Sequence, residues 1–140
     1  MRGLIWCRRA ISSPACGPMS WMTWSDCESL RRAAARCIAA AIAAIREHLT
    51  RGDLADGLIF DAVRVRLIEI GEAVKAIDSD LLATEPDVPW AQVAGMRDQL
   101  AHRYFDTSHA IVTQTVMRDL PELERAISRL GQKLRSHNSD

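Results

Sequence analysis

The sequence predicts an all-α fold, a bundle of four or five helices, and three observations carry that expectation. Apolar residues recur every three or four positions through most of residues 25–135, the repeat of one helix face. No stretch alternates apolar and polar residues as a half-buried strand does. The chain has 140 residues, 48% hydrophobic and 26% charged. That suits one domain with its own core, and it excludes a disordered or collagen-like chain.

Each element has a local signal. Ser25-Asp26-Cys27-Glu28 is a capping-box pattern, with Ser and Glu three positions apart to satisfy the first free amides of a helix. The helix it opens carries Leu30, Ala34, Ile38, Ile42, Ile45 and Leu49 on one face. Alanines at 39–41 and 43–44 favour helix and permit close packing. Thr50-Arg51-Gly52 supplies the stop, with Gly52 suited to the left-handed C-terminal position. A second helix is expected over 55–78. Leu58, Ile59, Ala62, Val63, Leu67, Ile70, Val74 and Ile77 form its broad apolar stripe, and Glu69 and Glu72 flank Gly71.

A loop over 79–89 holds Pro86 and Pro89. The third helix begins near Trp90, spaces Val93, Met96 and Leu100 by three and four, and runs to about Ala101. Residues 103–108 read as a turn ending in an N-cap. From 109 to 135 the apolar pattern resumes through Ile111, Val112, Val116, Leu120, Leu123, Ile127, Leu130 and Leu134. Pro121 lacks an amide hydrogen and should split this stretch, with one helix to about Asp119 and another from Pro121 to Leu134.

The organisation is therefore a helical domain over 25–135, a polar tail over 136–140, and an N-terminal segment over 1–24 of different character. That segment holds Pro14, Gly17 and Pro18 and has no periodic pattern. Two readings fit it: a disordered tail, or an extension ahead of a true start at Met19 or Met22.

Lys and Arg total 18 and Asp and Glu total 18, so the net charge is zero. The first 25 residues contain Arg2, Arg8 and Arg9 and no acid, which leaves a net of −3 for the remainder. No global field draws this chain to nucleic acid or to an anionic membrane, so any nucleic-acid binding must come from a local cluster. Cys7, Cys16, Cys27 and Cys37 are separated by eight, ten and nine residues, which is neither zinc-knuckle nor CxxC spacing. No signal-peptide core and no run of about 18 apolar residues is present. A cytoplasmic protein with free thiols, no metal, no cofactor and no membrane partner is expected.

The chemistry concentrates in Gly95-Met96-Arg97-Asp98-Gln99-Leu100-Ala101-His102-Arg103-Tyr104. Arg97 and His102 lie five positions apart, about 140° around a regular helix, so one straight helix does not aim both at a small ligand. They converge if the helix ends near Ala101 and the chain turns, or if two copies share a cleft across a two-fold axis. An arginine–histidine pair suits RNA cleavage. Arginine holds a phosphate with a planar fork of donors, histidine moves a proton near neutral pH, and RNA brings its own 2′-OH nucleophile. The bland alternative for His102 is a capping histidine favoured by the helix dipole.

Arg97-Asp98-x-x-x-His102-x-Tyr104 resembles the R-x4–6-H motif of HEPN-domain ribonucleases. In its R-x4-H-x-Y form it is similar to the HepT toxins of HepT/MntA toxin–antitoxin systems. Three further segments agree with that family: Ile70-Gly71-Glu72-Ala73, then Pro86-Asp87-Val88-Pro89-Trp90 followed by Gly95-Met96-Arg97, and Asp119-Leu120-Pro121-x-Leu123. The resemblance covers about residues 25–135.

It implies a HEPN-type bundle forming a two-fold homodimer, and a metal-independent endoribonuclease that attacks through the 2′-OH of tRNA or mRNA. Arg97 would bind the scissile phosphate, Asp98 would orient it, and His102 would be general base or acid. The implied partner is a minimal nucleotidyltransferase antitoxin, MntA-like, which silences the toxin by transferring AMP to Tyr104. Arg103 departs from the small or acidic residue common there, and either assists RNA binding or is simply solvated. Glu72 either hydrogen-bonds a motif side chain or is a surface carboxylate. His48, His109 and His137 carry no evident role, and Trp90 reads as a loop anchor rather than a base-stacking residue. The alternative function is a non-catalytic HEPN subunit that shapes the nucleotidyltransferase's substrate site.

Overall fold

The computed structural model describes residues 24–102 and 105–136. Its elements are α1 (Trp24–Arg51), α2 (Gly57–Lys75), the single turn α3 (Ser79–Leu82), α4 (Trp90–His102), α5 (Phe105–Gln114) and α6 (Leu120–Ser136). A π-helical turn, Thr115–Asp119, joins α5 to α6. No strand occurs among the described residues. The all-α bundle expected from the periodicity is the fold.

α1 and α2 form the central pair, with α4 against α2 and α6 against α1. Ile38, Ile42 and Ile45 of α1 meet Val63, Leu67 and Ile70 of α2 in the core, closed by Leu100, Val112, Leu123 and Leu130. Burying each such aliphatic side chain contributes about 1.5–3 kcal/mol. α2 and α4 run antiparallel, because Arg64 meets the Leu100 carbonyl at one end and Gly71 meets Val93 and Arg97 further along.

Several local expectations need correction. α2 starts at Gly57 because Asp56 takes the N-cap, its carboxylate accepting the Leu58 amide at 2.9 Å. It ends at Lys75, since Ile77 turns into the core and Asp78 pairs with Arg31 of α1. Leu58 and Leu30, assigned to buried stripes, are exposed, whereas Phe60 is core. Gly52 does not take a left-handed conformation; its missing side chain makes room for Ile59, whose Cγ1 would lie 3.0 Å from an added Cβ. The loop over 79–89 contains the α3 turn. Phe105 to Ser108 is helical rather than a turn, since Asp, Thr and Ser suit a helix's first turn as well as a loop.

The expected split at Pro121 is also corrected. The backbone stays helical from Phe105 through Ser136, and the π-helical turn Thr115–Asp119 just before Pro121 shifts the hydrogen-bond register where the proline lacks an amide.

The α3–α4 loop is pinned to α6. Glu85 is buried, and its carboxylate accepts from Arg129 Nε at 2.6 Å and Lys133 Nζ at 2.8 Å. These cations, with Lys133 the strongest influence, hold the Glu85 carboxyl below its ordinary range although burial opposes them. Trp90 Nε1 donates to the Glu85 carbonyl oxygen at 2.9 Å, which fixes the start of α4.

Candidate active site

The site grows from the contact between α2 and α4. Gly71 faces α4, and a Cβ there would lie 2.8 Å from Arg97 Cβ and 3.1 Å from the Val93 carbonyl oxygen. Only a residue without a side chain lets the two backbones come this close. The closeness brings Glu72, the next residue on α2, to Arg97.

Arg97 is then held on two sides. Its Nε pairs with Glu72 Oε1 at 2.6 Å and its Nη1 donates to Asp98 Oδ1 at 2.8 Å. Lys75 Nζ lies 3.6 Å from Glu72 Oε1 and 3.8 Å from Asp98 Oδ2. Two cations and two carboxylates thus form a neutral cluster that remains partly open to solvent. The Arg97 side chain stays 38% exposed, so solvent still reaches the guanidinium that the two carboxylates hold.

The electrostatics follow. The hydrogen bond to Asp98, then the charge of Glu72, raises the Arg97 pKa, so its charge is permanent. The Arg97 hydrogen bond, then Lys75, pulls the Asp98 carboxyl below its ordinary range, with His102 adding a smaller pull.

His102 is exposed in the last turn of α4. It stands one helical turn beyond Asp98, at i+4, so Asp98 lies between Arg97 and His102. α4 stays helical through His102, so the chain does not turn at Ala101 to bring His102 round to Arg97. The end of α4 is fastened by Arg64 of α2, whose Nε and Nη2 donate to the Leu100 carbonyl oxygen at 3.1 and 2.5 Å.

The structure therefore brings Arg97, Asp98 and Glu72 together and leaves His102 one turn away. Arg103 and Tyr104 lie outside the described residues. Sequence reasoning missed Lys75, Arg64 and the spacing role of Gly71. Lys75 was findable, since it is i+3 from Glu72 on the same face. Arg64 was not, because its partner is a backbone carbonyl on another helix. His109 also has a structural part: its ring stacks on Phe60 with centroids 5.2 Å apart, and Nε2 lies 3.2 Å from the Leu54 carbonyl oxygen. Chemically, the cluster offers a fixed guanidinium edge for an oxyanion and an imidazole for proton transfer.

The family model described as Ribonuclease HepT-like matches residues 36–130, well over half of the chain. The chain belongs to the HepT-like ribonuclease family. This HepT-like chain is 41% identical over 70 residues to an RNase-named protein of Caldanaerobacter subterraneus subsp. tengcongensis, covering 49% of this chain and 62% of that protein. An RNase-named protein of Methanocaldococcus jannaschii is 37% identical over 71 residues, 50% of this chain and 61% of its own length. "Probable ribonuclease HepT" of Thermococcus cleftensis is 39% identical over 67 residues, 47% of this chain and 61% of its own length. The HepT-like chain thus spans about three fifths of each of these relatives. No solved structure matches it. None of its described helices is long and apolar enough to cross a membrane.

Proposed function

We propose that the chain is a cytoplasmic endoribonuclease toxin of a type VII-like toxin–antitoxin system, with Arg97 and His102 as its catalytic pair. The observation that carries this reading is the held guanidinium. Arg97 is clasped by Glu72 and Asp98 yet remains partly exposed, and His102 stands one turn beyond Asp98. Family membership and the RNase-named relatives support the same reaction class.

In the reaction, Arg97 binds a nonbridging oxygen of the scissile phosphate and stabilises the charge that gathers there. The RNA 2′-OH attacks the phosphorus, and its proton goes to the general base. A 2′-O–P bond forms, the bond to the 5′-oxygen breaks, and that oxygen takes a proton. The products are a 2′,3′-cyclic phosphate and a 5′-OH. His102 serves as base or acid. Arg97 supplies the positive charge, so the step is metal-independent. A two-fold homodimer sets Arg97 of one copy against His102 of the other, which resolves their separation around α4. Asp98, Glu72 and Arg103 support, and the substrate is tRNA or mRNA.

The partner is a minimal nucleotidyltransferase, MntA-like, that transfers AMP to Tyr104. An adenylate two residues beyond His102 adds negative charge and bulk where RNA must enter. The neutrality of the Arg97 cluster favours a second reading, a non-catalytic subunit that shapes the nucleotidyltransferase's substrate site.

Induced expression separates the two. Growth should stop with wild type, continue with His102→Ala, and recover when the nucleotidyltransferase is co-expressed with AMP found by mass on the Tyr104 peptide. Equal arrest by wild type and His102→Ala would sink the catalytic reading.

A further inference from the structure

A pocket of about 500 Å³ opens between the C-terminal end of α2, α3 and the N-terminal half of α4. The Trp90 indole lines it with Val74 and Leu82, alanines complete its apolar part, and Lys75 and Ser79 are its polar residues. The volume falls within the usual range for a small-molecule site.

Two features link it to Arg97. Lys75 belongs both to the pocket and to the charged cluster, 3.8 Å from Asp98 Oδ2. On α4, Trp90, Ala94 and Arg97 are i, i+4 and i+7, so they share one face. At 1.5 Å of rise per residue, Arg97 lies about 10 Å along the helix from Trp90. That is the reach of a single nucleotide.

The chemistry is also specific. The indole is oriented by its bond to the Glu85 carbonyl, and Glu85 is itself clamped to α6, so the ring is a preset platform. Small alanines leave a gap beside it. The apolar interior repels a phosphate, while Lys75 and Arg97 beside it offer the phosphate hydrogen-bond donors for which Glu72 and Asp98 compete. A flat aromatic group carrying a phosphodiester fits this division.

Given the ribonuclease reading, on which this rests, we infer that the pocket takes an unpaired nucleobase adjacent to the phosphate held by Arg97, with Trp90 as its stacking surface. A base within a duplex cannot enter, so the preferred substrate is single-stranded RNA.

The test is binding of the full chain to a fluorescent single-stranded RNA made uncleavable by 2′-O-methylation. Ala91→Phe fills the pocket from an exposed helix position and should keep its melting temperature. Binding should weaken roughly tenfold or more, as loss of base stacking does. Trp90→Ala should weaken it as much. Trp90→Phe keeps an aromatic face but loses the bond to Glu85, so it should melt earlier yet retain binding. A folded Ala91→Phe protein that binds as wild type would overturn the pocket and leave the ribonuclease reading standing. Absence of wild-type binding, together with absence of cleavage of the unmodified RNA, would overturn both. A duplex bound as tightly as the single strand would also overturn it.

Discussion

Gly71 of α2 lies directly against Arg97 of α4, and a Cβ on the glycine would sit 2.8 Å from the arginine Cβ. The site is therefore built on a missing side chain. In an open helix, Gly→Ala stabilises by roughly 0.5–1 kcal/mol. Here the sign should reverse, because the methyl group also meets the Val93 carbonyl oxygen and the Arg97 amide, and backbone cannot swing aside. Gly71→Ala should destabilise by about 1–3 kcal/mol, as overpacking does. Thermal unfolding reads the stability, and cleavage should fall with it as Arg97 leaves Glu72.

Glu72 holds Arg97 in place and also competes with a phosphate for it. Glu72→Gln should fold normally, since the pair is partly exposed. It should bind RNA more tightly, because a repelling carboxylate is gone. It should also cut roughly 10–100-fold more slowly, because the guanidinium loses its aim. Steady-state kinetics should show kcat and KM falling together.

The Glu85 clamp gives a pH signature. Its folded carboxyl is held below the ordinary range, chiefly by Lys133 and then Arg129. A depressed folded pKa stabilises above the unfolded value, and that stability is lost as pH falls through the folded one. Wild type should therefore lose melting temperature below about pH 4.5 more steeply than Glu85→Gln does. At neutral pH, Glu85→Ala should cost about 1–3 kcal/mol, the range for stripping a buried hydrogen-bonded group from its partners.

The bundle and the order of its long helices were legible because they depend on residue spacing along one chain. Leu58 and Leu30 misled because the same spacing does not say how wide the buried face is. Arg97, Asp98 and Glu72 were legible as a chemically odd group. The Glu72 ion pair was left open between two readings, and the approach of α2 to α4 at Gly71 decides it. Glu85 was illegible, since a glutamate between Thr84 and Pro86 looks like any loop residue until α6 arrives beside it.

The separation of Arg97 and His102 around α4 makes the dimer testable by mixing. Arg97→Ala and His102→Ala should each be inactive alone. If each site takes Arg97 from one copy and His102 from the other, a mixed dimer keeps one intact site, and mixing should restore part of the activity. If both come from one copy, mixing restores nothing.

The most direct measurement is RNA cleavage by the purified chain in EDTA, beside folded Arg97→Ala and His102→Ala. Wild type alone should cut and leave 2′,3′-cyclic phosphate ends, with each variant slower by roughly 10²–10⁴-fold. A folded wild type that leaves RNA intact, or variants that cut as fast, would contradict the account.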